Sequence, residues 1–106
     1  MEENMENEIK EKYLPVGTVV LLKGGKKRTM ITGFCASSNE EKNRIYDYSG
    51  CLFPEGIVSS NQTFLFDHSQ IDKIYHMGLE DNEEKEFKVK LNQLIEKVNQ
   101  NKNNMN

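Results

Sequence analysis

Two cysteines and two histidines are the first residues in this chain that could do chemistry: Cys35, Cys51, His68 and His76. A structural zinc site is usually built from close ligand pairs, such as two cysteines with two to four residues between them. Here the cysteines lie sixteen positions apart and the histidines eight, so only the folded chain could assemble them. A cysteine nucleophile needs a thiolate beside a histidine and a third group to orient the pair. Cys35 lies between Phe34 and Ala36, and Cys51 between Gly50 and Leu52; neither has a recognisable nucleophile context. These residues read as packing thiols and surface imidazoles, with no metal and no cofactor. With no export signal in the sequence, a reducing compartment is expected, and both thiols are free. Asn61-Gln62-Thr63 has the form of a glycosylation acceptor, which has no meaning in a chain that is not secreted by a eukaryote.

Gly24-Gly25-Lys26-Lys27 invites comparison with a phosphate-binding loop. That loop needs a Ser or Thr after its lysine and a strand-to-helix setting, so that backbone N–H groups converge on phosphate. Neither is present, and the segment reads as a basic hairpin tip: Lys23, Lys26, Lys27 and Arg28 could meet an acidic partner. Tyr46, Tyr48, Phe53, Phe64 and Phe66 could form a base-stacking platform of the kind that oligonucleotide-binding barrels use. Strand alternation assigns at least half of them to a core, and Asp47 and Asp67 beside them would repel phosphate. Asp47, Glu55, Asp67 and Asp72 could do acid–base work in a cleft, but no spacing pairs them.

The elements that must position these residues follow from pattern. Thr18 to Lys23 is a β-branched, apolar strand closed by the Gly24-Gly25 turn, and Lys27 to Phe34 is its hairpin partner. In the second strand Arg28, Met30 and Thr32 share one face, and Thr29, Ile31 and Gly33 the other. Ala36 to Asn43 is a polar loop. Arg44 to Tyr48 is a third strand, interrupted at Ser49-Gly50 and resumed at Cys51 to Phe53 before the Pro54-Glu55-Gly56 turn. Ile57 to Ser59 reads as a short fourth segment and Thr63 to Asp67 as a further strand. His68 opens a short helical turn in which Ile71, Ile74 and Tyr75 face inward, ended by Gly78. Phe87, Leu91, Leu94, Ile95 and Val98 then recur at intervals of 4, 3, 1 and 3, one stripe on an α-helix. Its first turn is acidic, which suits the positive end of the helix dipole.

Length and charge set the frame. A chain of 106 residues, 36% apolar and 29% charged, is one small domain. No apolar run approaches the roughly 20 residues that span a bilayer, and the acidic N-terminus is not a signal peptide. Five Glu against two Lys in residues 1–12 account for the whole net charge of −3, and the remaining chain balances twelve acids with twelve bases. A balanced domain lacks the basic face that nucleic acid requires, and no nucleic-acid or membrane partner is expected. The organisation is an acidic, disordered arm over 1–12, a β-rich domain over 13–79, an amphipathic helix over 80–99 and a disordered Asn-rich tail over 100–106. The fold class is α+β and mainly β: a small, strongly bent antiparallel sheet or an SH3-like barrel, then one C-terminal helix. That helix either covers the sheet or projects towards a partner.

The stretch Leu14 to Phe34 (LPVGTVVLLKGGKKRTMITGF) resembles the DUF4176 family of small bacterial proteins. Tyr46-Asp47-Tyr48-Ser49-Gly50-Cys51, Pro54-Glu55-Gly56, Phe64 to His68, and Ile71 to Tyr75 with Gly78 extend the resemblance in order over roughly residues 13 to 80. It implies a domain of unknown function from Gram-positive bacteria, often encoded near type VII secretion clusters and their LXG-type toxins. The role it implies is that of a cytoplasmic accessory, targeting or chaperone-like factor for a secreted substrate, and it supplies no catalytic residues. The expectation is a non-enzymatic protein-interaction module, a possible homodimer, whose protein partner is a secreted toxin or its small helical companions. Its partner-binding residues are the basic hairpin Lys23, Lys26, Lys27 and Arg28 and the helix stripe Phe87, Leu91, Leu94, Ile95 and Val98. The alternatives are an immunity protein against a neighbouring toxin and a small-barrel nucleic-acid binder or ribonuclease.

Overall fold

In a computed structural model, residues 12–37, 44–59 and 62–104 are described. The expected arm lies outside them apart from Lys12, as do residues 38–43 of the polar loop and residues 105 and 106 of the expected tail. Five strands form one antiparallel sheet: β1 (Val19–Leu22), β2 (Thr29–Ser37), β3 (Ile45–Leu52), β4 (Phe64–Phe66) and β5 (Ile71–His76). A single 3₁₀ turn, His68–Gln70, separates β4 from β5, and the helix α1 (Asn82–Asn104) follows. The strand order is β4-β3-β2-β1-β5, so β4 and β5 are edges and the sheet stays open. Of the two architectures that the pattern allowed, the bent sheet is the one formed. No barrel closes.

The β1–β2 hairpin turns where the glycines place it, and Gly24 takes a φ of 77°, in the left-handed region that glycine adopts without steric cost. β2 alternates as read up to Ile31: Ile31 is fully buried and Thr29 nearly so, while Met30 is half-exposed on the opposite face. A bulge between Ile31 and Gly33 then shifts the alternation, so that Phe34, opposite Tyr48, packs on the core. β3 corrects the expectation of an interruption at Ser49-Gly50, because it runs unbroken through both. A Cβ on Gly50 would come within 2.9 Å of the Met30 carbonyl and 2.8 Å of the Phe66 ring. Gly50 is therefore a close approach between strands and not a turn.

Two further expectations change. Ile57 to Ser59 forms no strand, and Ile57 and Val58 are exposed. The segment after the 3₁₀ turn is not helical: Ile71 to His76 is an edge strand paired to β1, with Ile71 buried and Tyr75 exposed. The spacing of three or four that looked helical there is strand alternation offset by two irregularities in the β1–β5 register.

The helix covers one face of the sheet. Leu91, 7% exposed, joins Tyr13, Leu14, Val20, Ile31, Tyr48, Phe66 and Ile71 in the core, and Ile95 packs against that cluster. Asp81 precedes the helix and its carboxylate accepts the backbone N–H of Glu84, filling one of the donors that a helix start leaves open. With no Gly or Pro after Gly78 to stop it, the helix continues through Asn104, past the expected end at Asn99, so residues 100–104 of the expected disordered tail are helical.

Candidate functional site

On the face away from the helix, the register places His76, Val19, Met30 and Cys51 in one row across β5, β1, β2 and β3. Above this row lies an open groove of about 580 Å³, lined by Gly17, Val19, Arg28, Met30, Phe53, Tyr75 and His76. Val19 and Met30 make an apolar floor. The backbone N–H of Phe53 donates to the Arg28 carbonyl at 3.0 Å, which fixes the turn after β3 beside the start of β2. The Arg28 guanidinium carbon then lies 5.1 Å from the Phe53 ring centroid and 5.9 Å from that of Tyr75. Lys73 lies 4.9 Å from the other aromatic wall, Tyr75. The planar guanidinium is thus held between two rings while its donors stay exposed, an arrangement suited to a carboxylate.

This groove contains one of the expected site residues, Arg28. Lys23 and Lys26 are exposed at the hairpin tip, and Lys27 reaches across to Glu55 at 2.8 Å. That ammonium, through its hydrogen bond, holds the exposed Glu55 carboxyl below its ordinary value. The helix stripe divides. Leu91 is core and Ile95 and Val98 are half-buried, whereas Phe87 and Leu94 are 51% and 56% exposed. Phe87 still touches the sheet, its ring 5.9 Å from Phe34. Val89, not part of the expected stripe, is also exposed.

The aromatic platform does not assemble. Tyr48 and Phe66 stack in the core at 5.3 Å, Phe53 lies on the opposite face, and Tyr46 carries the Arg44 guanidinium at 4.3 Å. Around Tyr48 there is instead a polar network under the end of the helix. Its hydroxyl oxygen accepts the backbone N–H groups of Tyr13 and Leu14, at 3.0 and 3.1 Å, and lies 2.8 Å from His68 Nδ1. With both lone pairs occupied, the phenol proton goes to the imidazole, which is therefore neutral at Nδ1. Asp47 receives Lys12 at 3.0 Å and the His68 backbone N–H at 2.9 Å. Asp67 receives the Asp47 backbone N–H and the Arg44 guanidinium.

Burial lowers the His68 pKa and raises the Tyr48 phenol to about 12, against the backbone N–H groups of Leu14 and Tyr13, which lower it. Burial also raises the Cys35 thiol and, with Cys35 beside it, holds the Tyr13 phenol well above its ordinary value. These are groups fixed in their neutral forms. They position the chain before β1 and present no thiolate. Among the described residues, no three His, Cys, Asp or Glu side chains gather where a metal ion could sit.

A family model described as a domain of unknown function, DUF4176, matches residues 13–87. The chain belongs to that family. No curated protein and no solved structure matches it. The DUF4176 match contains all five strands and every groove residue, but it ends at Phe87, one turn short of Leu91. The groove was not legible before folding, because Gly17, Arg28, Phe53 and Tyr75 are scattered through the sequence. The alternation that put Arg28 and Met30 on one face of β2 was the only signal for it.

Proposed function

We propose that this DUF4176 protein is a non-enzymatic, cytoplasmic interaction module, an accessory, targeting or chaperone-like factor for a type VII secretion substrate. The observation that carries the reading is the divided helix. Leu91, Ile95 and Val98 hold it to the sheet, and Phe87, Val89 and Leu94 remain about half exposed on a helix of 23 residues. Phe87 and Leu94 are seven residues apart, two turns, and so lie along one flank. An apolar flank of that spacing suits a partner helix laid against it. The substrate class is the one that the family resemblance implies, through an expected neighbourhood with secretion clusters. No helix among the described residues is long and apolar enough to cross a membrane.

The test is co-expression with an LXG-type toxin of a type VII secretion system, followed by affinity capture. The expected result is a stoichiometric complex with the toxin or its small helical companions, lost in Leu94→Asp while the variant's melting transition is unchanged. Capture unaffected by Leu94→Asp would refute the helix flank. Protection of cells from the toxin without any effect on its export would favour an immunity protein. Salt-sensitive oligonucleotide binding would favour the nucleic-acid reading.

A further inference from the structure

We infer that the groove on the uncovered face of the sheet is a self-association site, occupied by the Leu79–Glu83 segment of a second copy of this chain. The argument begins at Gly17, which closes one end of the groove. A Cβ on Gly17 would lie 3.9 Å from the Gly78 Cα, and one on Gly78 would overlap the Val16 carbonyl. The Gly78 N–H also donates to Thr18 Oγ1 at 3.0 Å. The Val16-Gly17 and Gly78-Leu79 backbones are therefore in contact, and they set two exposed aliphatic side chains beside the groove: Val16, 53% exposed, and Leu79, 76% exposed. They add exposed apolar side chains at the end of a groove walled by Phe53 and Tyr75 and floored by Met30, and exposed apolar groups gathered in this way mark an interaction site.

The charges on either side of this contact have opposite signs. The groove carries Arg28 between its aromatic walls, with Lys73 against the Tyr75 ring, whereas Lys27, outside the groove, is already matched by Glu55. Immediately after Leu79 come Glu80, Asp81 and Glu83, all exposed. A basic, apolar groove and an acidic segment led by an exposed leucine thus adjoin on one molecule. Two copies related by a two-fold axis near Gly17 and Gly78 satisfy both at once. Each places Leu79 over the partner's apolar floor and its acids against the partner's Arg28 and Lys73, the reciprocal pairing that an isologous interface requires. The guanidinium supplies the specificity, because its exposed donors match a carboxylate in a fixed plane. This site is separate from the helix flank, and its occupancy does not depend on a secretion substrate.

Sedimentation velocity on the full chain, from low-micromolar to submillimolar concentration, tests the inference. The expected result is a monomer–dimer equilibrium that weakens as salt is raised, since exposed charge pairs are screened. Arg28→Glu is expected to weaken the dimer by about tenfold or more. Adding Glu80→Lys to Arg28→Glu restores it by exchanging the signs, and leaves the Asp81 cap of the helix in place. Leu94→Asp leaves it intact. A chain that stays monomeric throughout overturns the inference, as does a dimer that tolerates Arg28→Glu or is broken by Leu94→Asp. Because each variant changes exposed side chains, an unchanged melting transition separates loss of association from loss of folding.

Discussion

His68 is a residue whose place in the fold predicts a loss of stability in acid. Its Nδ1 accepts the only proton that the Tyr48 hydroxyl has to give, because the hydroxyl oxygen already receives two backbone N–H groups. Protonating the imidazole would set a donor against a donor in a site where burial already disfavours charge. The folded-state pKa is therefore below the unfolded value of about 6.5. Below that value the unfolded chain binds more protons than the folded one, so stability falls as pH drops through about 6.5 and levels off below the folded pKa. Thermal melts near pH 7.5 and near pH 5 are expected to show the loss in the natural chain. In His68→Asn an amide oxygen can replace Nδ1 as the acceptor without titrating, and the difference between the two melts should narrow. A gap of the same size in both proteins would place the acid response elsewhere.

At the scale of elements, the helix separates what pattern reveals from what only packing decides. Its existence and apolar stripe were legible because Phe87, Leu91, Leu94, Ile95 and Val98 span more than three turns at one period. Which of them carry stability was not legible, because a stripe does not state how wide a contact the sheet offers. Leu91 is 7% exposed and Leu94 is 56% exposed. Leu91→Ala should therefore cost about 2–5 kcal/mol, the range for a truncated core leucine, whereas Leu94→Ala should stay within roughly 0.5 kcal/mol of the natural chain, as for ordinary surface positions. Urea titration with matched slopes checks the pair, and equal costs would mean that the stripe is buried along its whole width. β5 shows the converse difficulty. Ile71, Ile74 and Tyr75 have helical spacing over too short a run, and the competing signal, pairing to β1 with register shifts, depends on a strand fifty residues earlier. Gly50 misled for a related reason: glycine marks a turn and a close strand approach equally well, and only Phe66 across the sheet distinguishes them.

For the molecule as a whole, the family boundary and the folding boundary do not coincide. The DUF4176 match closes at Phe87, which keeps all five strands and little more than the first turn of the helix. The core of this chain closes later, with Leu91 inserted among Tyr13, Val20, Ile31 and Tyr48, and with Ile95 against the same cluster. An open sheet has a large apolar face to cover, and a domain of this size has only about 5–15 kcal/mol of net stability. Losing a buried leucine costs about 2–5 kcal/mol by itself, and the exposed faces of Tyr13 and Phe34 add to that. A chain ended at Phe87 is therefore expected to lose its cooperative melting transition and to bind a hydrophobic dye, whereas one ended at Asn99 should retain the transition. Equal, cooperative melts for the two would mean that the sheet is stable uncovered. In that case the helix beyond Phe87 would be free to leave the sheet, and Leu91 and Ile95 would become available to a partner along with Leu94.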